Sequence, residues 1–313
     1  MKVTEVMFDG LKAHMVECPG IELIVVSGSG PRIASLSRPG ESSSNNLLYW
    51  DYVGTKHRGG WRLLGGHRVW VWMPGADESE QAYLRDNEPC GFDVAVNRLR
   101  VAGGIDPVMK IRRGMDITEA EAGPGCVEVE NWVENCGDML WSGGVWSLTC
   151  TDPRSKRYQA PLGSRHLAWD GFKMYVPMRW AGHTSPVNDP QFVLSQDLLF
   201  IEPVGTESKR MIEVAQGWMS CHYHVSGCGC CFFKMAKFRP EMADRYPHGC
   251  NAAWYIGPDN FMVEMEWMFP WQTLKPGERM YARERWVLTD HFPTGNDSLG
   301  AIRKMLEPYL KGL

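Results

Sequence analysis

Two glutamates in one strand-like segment carry the strongest chemical signal in the sequence. In residues 261–269, alternation at the strand period of two places Glu264 and Glu266 on the same face. Same-face neighbours on a strand lie about 7 Å apart, so the two carboxylates repel each other, and enclosure would raise the pKa of at least one. A carboxylate of raised pKa on a rigid strand is suited to proton transfer. The alternative is that both acids are solvated on the outer face of an edge strand.

Proton transfer needs a second titratable group, and four histidines are candidates. His67 follows two glycines, which allow a backbone to approach a ligand or a turn closely. Because His67 and Arg68 point to opposite faces of a strand, only one of them easily reaches a given cleft. His67 is therefore either a site residue or a structural, hydrogen-bonded histidine. His248 lies in a loop and is either a substrate contact or a solvated residue, and His166 and His183 are weaker candidates.

Composition and charge exclude several functional classes. The chain has 313 residues, of which 44% are hydrophobic and 22% are charged, as is typical of a globular protein with a sizeable core. A net charge of −4 without a basic stripe disfavours nucleic acid and anionic membranes as partners. Neither an apolar run of about 20 residues nor a signal-peptide pattern is found, so we expect a cytoplasmic protein. The 14 tryptophans favour a carbohydrate ligand, because indole rings stack on the apolar faces of sugars.

The ten cysteines are expected to be reduced and mostly buried. Residues 221–231 combine cysteine and histidine, which are zinc-binding residue types, but no second pair follows at zinc-ribbon spacing. The sequence Ser226-Gly-Cys-Gly229 instead predicts a hairpin turn between two strands. We therefore expect no metal and no cofactor.

Short alternating or apolar runs bounded by Gly, Pro, Asn and Asp recur along the chain and predict an all-β fold. The clearest hairpin joins residues 115–122 to residues 126–133 through the turn Gly123-Pro-Gly125. Helical signals are few, but an amphipathic segment at about 297–311 predicts a C-terminal helix capped by Asn296 or Asp297. The economical interpretation is one domain, residues 1–313, folded as a large and mostly antiparallel β-sandwich.

A set of motifs follows in order along nearly the whole chain. They are Pro31-Arg-Ile-Ala-Ser-Leu36, Asn46-Leu-Leu-Tyr-Trp50, Trp61-Arg-Leu-Leu-Gly-Gly-His-Arg-Val-Trp70, Tyr83-Leu-Arg-Asp-Asn-Glu-Pro89, Phe233-Lys234, Tyr246-Pro-His-Gly-Cys-Asn251, the Glu264/Glu266 segment with Leu274-Lys-Pro-Gly-Glu278, and Glu284-Arg-Trp286. Together they resemble the aldose 1-epimerase-like (galactose mutarotase-like) superfamily, and most closely a branch distinct from the standard mutarotases. The resemblance implies a galactose mutarotase-like β-supersandwich with few short helices and a sugar-sized cleft on one concave face.

The resemblance also implies roles for individual residues. In mutarotases a glutamate on a late strand, followed by a Leu-x-Pro-Gly turn, removes the proton of the anomeric hydroxyl, and Glu264 holds that position here. Glu266 is then a neighbour that tunes Glu264. The family carries its acid, a histidine, after a mid-chain strand, but residues 135–148 contain no histidine and Trp146 occupies the place. The Gly-Gly-His-Arg motif makes His67 the predicted acid.

The predicted substrate-binding residues offer hydroxyl contacts, charge neutralisation or ring stacking. They are Arg68, Trp70, Arg85, Asp86, Asn87, Trp146, Lys234, His248 and Glu266. Some of these have a purely structural alternative. The arginines and Asp86 are equally compatible with a surface ion pair, and Lys234 with a side chain that snorkels from a strand edge.

Three functions stay open at this point. The first is an isomerase of the aldose 1-epimerase type, acting at or near the anomeric centre of a sugar with Glu264 as base and His67 as acid. The second is a lyase or epimerase acting on a uronate or keto-sugar, and the third is a carbohydrate-binding protein without catalysis. In each case the expected ligand is a small sugar or sugar derivative, and the protein is a monomer or a homodimer.

Overall fold

The computed structural model consists mainly of two large sheets in which every described strand pair is antiparallel. It describes residues 1–42, 45–53, 63–75, 84–153, 156–163, 169–225, 228–290 and 299–313. The predicted all-β class is confirmed. Within the described residues, no helix is long and apolar enough to cross a membrane.

The two sheets contain most of the strands, which are numbered in chain order. The first sheet has eleven strands, in the path β1 (Lys2–Phe8), β2 (Leu11–Cys18), β3 (Ile21–Val26), β4 (Arg32–Ser37), β7 (His67–Trp72), β12 (Trp141–Thr151), β23 (Val263–Met268), β22 (Ala252–Ile256), β19 (Ser208–Ile212) and β14 (Met174–Tyr175), with β24 (Gln272–Leu274) paired to β12. The second sheet has ten strands, in the path β17 (Phe192–Leu194), β18 (Leu198–Ile201), β13 (Lys156–Pro161), β20 (Trp218–Val225), β21 (Cys228–Met235), β25 (Arg279–Thr289), β11 (Cys126–Asn135), β10 (Ile111–Glu119), β9 (Arg98–Ile105) and β8 (Gly91–Ala95). Two short pairs remain, β15 (Arg179–Trp180) with β16 (His183–Thr184), and β5 (Tyr52–Val53) with β6 (Leu63–Leu64).

Strand alternation explains how the sheets form a sandwich. On β11, Val127, Val129 and Val133 are buried in the core between the sheets, whereas Glu128 and Glu130 lie on the outer face. The outer glutamates pair with arginines of the neighbouring strand β25. The predicted hairpin of β10 and β11 is thus confirmed, with its valines inside and its glutamates outside.

The predicted C-terminal helix is present as α1 (Leu299–Leu310). Its buried residues Leu299, Ile302 and Leu306 pack against a hydrophobic cluster on the outer face of the second sheet that includes Trp218 and Phe233. The predicted caps, Asn296 and Asp297, lie outside the described residues. Short 3₁₀ turns occur at Leu84–Asn87, Pro240–Arg245, Pro247–Gly249 and Pro258–Asn260.

The strand that carries the two glutamates lies inside its sheet and not at the edge. Strand β23 is hydrogen-bonded to β12 on one side and to β22 on the other. Glu264 is 6% exposed and Glu266 is 0% exposed. The alternative of an edge strand with solvated acids is therefore wrong.

The cysteine-rich segment forms the hairpin that its turn residues predict. Strands β20 and β21 pair from Trp218↔Met235 to Val225↔Cys228, and the two residues between the strands lie outside the described part of the chain. Cys221 and Cys231 are buried and unbridged. Among the described residues, no group of three or more His, Cys, Asp or Glu side chains is arranged to hold a metal ion.

Candidate functional site

One face of the first sheet brings together charged and aromatic side chains from five adjacent strands. The register aligns Arg68 of β7, Leu148 of β12 and Glu266 of β23 in one row. The next row aligns Cys150, Glu264, Tyr255 and Lys209 on β12, β23, β22 and β19. Because residues aligned in register share a face, all these side chains project to the same side. We call this the site face, and it points away from the second sheet.

Glu264 is held by Arg68 at the centre of the site face. The Nη2 of Arg68 donates to Oε1 of Glu264 at 2.5 Å, and its Nη1 lies 3.0 Å from the Sγ of Cys150. Burial raises the pKa of Cys150 to about 12, so its thiol is neutral and lies 3.7 Å from the same carboxylate oxygen. Burial opposes the charge of Arg68, but the negative charges around it, among them Glu264 and Asp86, keep the pKa of Arg68 above its usual value. Glu264 is therefore held in a buried ion pair with Arg68.

A second arginine anchors the turn that flanks this pair. Arg32 donates to Asp86 at 2.6 Å and to the carbonyl oxygens of Leu64 and Gly65 at 2.7 and 2.8 Å. Asp86 in turn lies 3.9 Å from Nε of Arg68. Of the predicted trio at 85–87, the structure thus brings Asp86 to the site. Its neighbour Arg85 forms an ion pair with Glu88, and Asn87 is half-buried in the same turn.

Glu266 forms a separate cluster with an indole and an amine. The Nε1 of Trp146 donates to Oε2 of Glu266 at 2.7 Å, and Nζ of Lys209 lies 3.2 Å from the other oxygen. Lys209 also lies 4.7 Å from the centre of the Trp146 ring. Trp70 packs edge-on against Trp146, with ring centres 5.3 Å apart. The guanidinium carbon of Arg68 lies 4.3 Å from the centre of the Trp70 ring. Trp70 and Trp146 therefore connect the Glu264 cluster with the Glu266 cluster, and we call this pair of indoles the Trp70–Trp146 floor.

His183 reaches the site face from the short hairpin of β15 and β16. Its Nδ1 lies 2.7 Å from Oε1 of Glu207, and the hydroxyl of Tyr255 donates to the same oxygen at 2.7 Å. Trp180 stacks on the imidazole at 5.4 Å. The side chain of His183 is 43% exposed, and its neighbour Tyr255 is aligned with Glu264. His183 was a weak candidate in the sequence, yet it is a solvent-accessible histidine next to this face.

His67 lies on the opposite face of the sheet from Glu264, in the core of the sandwich. Its Nε2 lies 3.1 Å from Oδ1 of Asn131, and its Nδ1 lies 2.9 Å from the hydroxyl of Thr149. The amide nitrogen of Asn131 donates to Glu284 at 3.0 Å, so Oδ1 of Asn131 accepts and Nε2 of His67 carries the proton. Burial, with Lys234 nearby, holds the pKa of His67 well below its usual value. His67 is a neutral structural histidine, and its predicted role as acid opposite Glu264 does not fit this geometry.

Lys234 also lies in the interior of the sandwich, so its predicted contact with substrate does not fit its position. Its Nζ donates to the carbonyl oxygens of Met265 and Ser147 at 3.1 and 3.2 Å and lies 3.5 Å from Glu284. It has no exposed surface. Burial lowers the pKa of Lys234, although Glu284 acts in the opposite direction. The side chain reaches from β21 across the core to these acceptors. They offset the cost of burying the amine.

Comparisons with known proteins agree with the architecture. No family model matches the chain, and no curated protein matches it. Among solved structures, a candidate mutarotase (YeaD) from Salmonella typhimurium superposes with a TM-score of 0.54 at 12% identity, covering 92% of this chain and 94% of the other. A candidate aldose 1-epimerase from Klebsiella pneumoniae gives 0.53 at 10% identity and covers 95% and 83%. A galactose mutarotase-like protein from Lactobacillus casei gives 0.52 at 9% identity and covers 88% and 100%. The fold is galactose mutarotase-like.

Within this mutarotase-like fold, His248 lies at the far side of the site face. It adopts a left-handed backbone conformation with φ of 53° and stacks on Tyr175, with ring centres 3.7 Å apart and planes 3° apart. Burial lowers the pKa of His248, so the stacked ring is neutral at neutral pH. Tyr175 belongs to β14, three strands from β23 in the sheet. His248 is thus near a different part of the mutarotase-like surface from Glu264.

The site contains groups that sequence patterns alone did not single out. Lys209, Glu207 and Tyr255 contact the acids or the histidine of the site, but they belong to strands or loops without a recognisable motif. Their strands, β19 and β22, are buried along every residue, so alternation of polarity does not mark a functional face there. The arrangement offers a fixed carboxylate, an aromatic floor and an accessible histidine, which are the groups that acid–base chemistry on a sugar requires.

Proposed function

We propose that this protein is a carbohydrate-active isomerase of the aldose 1-epimerase type, acting at or near the anomeric centre of a sugar. The observation that carries the proposal is the carboxylate of Glu264, hydrogen-bonded by Arg68 beside the Trp70–Trp146 floor and aligned with Tyr255. A carboxylate fixed on a rigid strand can act as a general base, and the buried indoles fix the residues around it. A single domain over residues 1–313 and a small sugar as the ligand belong to the same proposal.

In this mechanism Glu264 accepts the proton of the anomeric hydroxyl while an acid protonates the ring oxygen. The ring opens to the aldehyde, the C1–C2 bond rotates, and closure with reversed proton transfers yields the other anomer. His183 replaces His67 as the proposed acid, because it lies on the side of Glu264 and is oriented by Glu207. Tyr255 shares the Glu207 oxygen and fixes that carboxylate in place.

The test is NMR exchange spectroscopy of anomeric protons over a panel of reducing sugars. Glu264→Gln is expected to lower the catalysed exchange rate by about 10²- to 10⁴-fold, as is typical for loss of a general base. His183→Gln is expected to lower it by a similar order. Glu5→Gln and His14→Gln are matched controls on β1 and β2, at the other end of the sheet. Unchanged exchange in Glu264→Gln, for every sugar that the wild type accelerates, would remove Glu264 from the mechanism.

A second candidate function, sugar binding without turnover, is favoured by one observation. Both acids of β23 are already engaged, Glu264 with Arg68 and Glu266 with Lys209. In this alternative the carboxylates only accept hydrogen bonds from hydroxyls. Calorimetric binding of a sugar whose anomers interconvert no faster than in buffer would favour this alternative over the isomerase.

The geometry adds no support for a lyase or epimerase acting on a uronate. That reaction needs a cation to neutralise the charge of the substrate or intermediate. The cations Arg32, Arg68 and Lys209 of the site face each contact an acid, so their charges are already compensated. If no new double-bond absorbance appears when the protein is incubated with oxidised sugars, the result would agree with the absence of lyase activity.

A further inference from the structure

A cavity of about 940 Å³ lies beside the site face, between β14, the short hairpin of β15 and β16, and the start of β19. Residues that line it include Tyr175, Met178, Arg179, Thr184 and Glu207. Pockets for small ligands range from about 300 to 1,000 Å³, so this volume is near the upper end. It exceeds what one sugar ring fills.

Glu207 links the cavity to the proposed catalytic groups. This residue lines the cavity and also binds His183 and Tyr255. Tyr175, on the cavity side, is aligned with Met211, Met211 with Ala253, and Ala253 with Glu266. Three strand spacings of about 4.8 Å separate Tyr175 from Glu266, and Glu264 lies about 7 Å from Glu266 along β23, so Tyr175 and Glu264 are about 16 Å apart across the sheet. A ligand that reaches both positions therefore contains more than one ring.

The lining has the mixed character that a saccharide requires. Tyr175 is 38% exposed and Met178 is 59% exposed, so both present apolar surface to the cavity. The stack on His248 fixes the orientation of the Tyr175 ring, so the ring is preorganised for packing against a ligand. Arg179, Thr184 and Glu207 supply donors and acceptors around it. Apolar C–H faces pack on such a ring while hydroxyls bond to the polar rim.

We propose that this cavity is a second sugar subsite, and that the ligand is a reducing oligosaccharide. Its reducing-end ring lies at Glu264 and the next ring lies on Tyr175. The proposal rests on the proposed function for the placement of the reducing end, but not for the presence of the subsite. Chain extension beyond the first ring then adds binding energy that a monosaccharide lacks.

The test compares glucose with maltose, cellobiose and lactose, which share glucose as the reducing end. Anomeric exchange is expected to have a kcat/KM about tenfold higher for at least one disaccharide than for glucose, because one additional stacked ring is bound. Tyr175→Ala is expected to abolish this preference and leave the value for glucose unchanged, and Tyr175→Phe to retain the preference. Tyr281→Ala is the matched control, because Tyr281 is 47% exposed on the other sheet. Equal values for all four sugars, or equal losses in Tyr175→Ala for glucose and disaccharide, would overturn the subsite.

Binding measurements keep the two proposals separable. If the wild type accelerates no exchange, the proposed isomerase fails, and saturation-transfer NMR then tests the subsite alone. Saturation transferred to the non-reducing ring of a disaccharide in the wild type, and lost in Tyr175→Ala, supports the subsite. Transfer restricted to the reducing ring, or no binding of any disaccharide, overturns it.

Discussion

The ammonium of Lys234 on the second sheet donates a hydrogen bond of 3.1 Å to the carbonyl oxygen of Met265 on the first. Met265 is the residue between Glu264 and Glu266, so the contact fixes the backbone directly behind both acids. Lys234 also bonds the carbonyl of Ser147, next to Trp146. Glu284 compensates its charge at 3.5 Å and accepts from Asn131 and Trp286 as well. A polar network inside the sandwich thus supports the strand segments that carry the site.

Removing Lys234 is expected to destabilise the fold strongly. Lys234→Met leaves the buried carboxylate of Glu284 without its cation, and breaking a buried pair from one side costs about 3–5 kcal/mol. The free energy of unfolding, measured in urea, gives the change. Lys2→Met is the matched control, because Lys2 is exposed and pairs with Glu17 on the surface, where a change of at most about 1 kcal/mol is expected.

A double-mutant cycle identifies the cause of that loss. Glu284→Gln keeps the shape of the side chain and an acceptor for Asn131 but removes the charge. The double variant Lys234→Met/Glu284→Gln is expected to lose less stability than the two single variants added together, because neither charge is left uncompensated. Additive losses would show that packing of the lysine chain, and not its charge, is what the core requires.

The buried His67 is expected to make the protein less stable in mild acid. Its folded pKa is lowered by burial, so the unfolded chain binds the proton first as pH falls below about 6.5. Stability is therefore fully present above that pH and is lost below it, by about 1.4 kcal/mol per pH unit until the folded pKa is reached. Urea unfolding between pH 7.5 and pH 5 measures the slope.

His67→Gln is expected to remove this part of the pH dependence while costing stability at pH 7.5. The difference between wild type and variant should therefore shrink as the pH falls below about 6.5. His14→Gln is the control, because burial lowers the pKa of the half-buried His14 as well but Glu5 counteracts it. A difference between wild type and His67→Gln that is constant from pH 7.5 to pH 5 would contradict a neutral buried His67.

Sequence patterns predicted the fold more completely than the site. Period-two alternation identified the hairpin of β10 and β11, because one face there is apolar and the other is charged. It also grouped Glu264 with Glu266 correctly. The alternation also placed His67 and Arg68 on opposite faces of β7. It did not show which of the two shares a face with Glu264, because β7 is buried on both faces and has a polar residue on each. His183 and Glu207 meet through tertiary packing of distant segments, which no local pattern contains.

The glycine before His67 is expected to be needed for steric reasons as well as for its backbone conformation. Gly66 has φ of 86°, and a Cβ added there would lie 2.4 Å from the carbonyl oxygen of Ile33. Gly66→Ala therefore combines left-handed strain with a backbone clash, and we expect a loss of more than about 2 kcal/mol in unfolding free energy. Gly75→Ala is the matched control, because Gly75 has φ of 73° with nothing within 4 Å of an added Cβ. Equal losses in the two variants would assign the whole effect to the backbone conformation.

The hydrogen bond from the indole N–H of Trp146 to Glu266 is expected to contribute to the stability of the fold. Trp146→Phe keeps an aromatic ring against Trp70 but removes the 2.7 Å hydrogen bond to the fully buried carboxylate. A lost bond to a buried charged group costs about 1.5–3 kcal/mol, even though Lys209 still contacts the other oxygen. Urea unfolding measures the loss of stability. Calorimetric titration, with the sugar that the wild type binds most tightly, measures the change in sugar affinity. Trp50→Phe is the control, because its N–H bonds Asp9 at an exposed site, where a loss well below 1 kcal/mol is expected. A Trp146→Phe variant as stable as Trp50→Phe would mean that Lys209 alone satisfies Glu266.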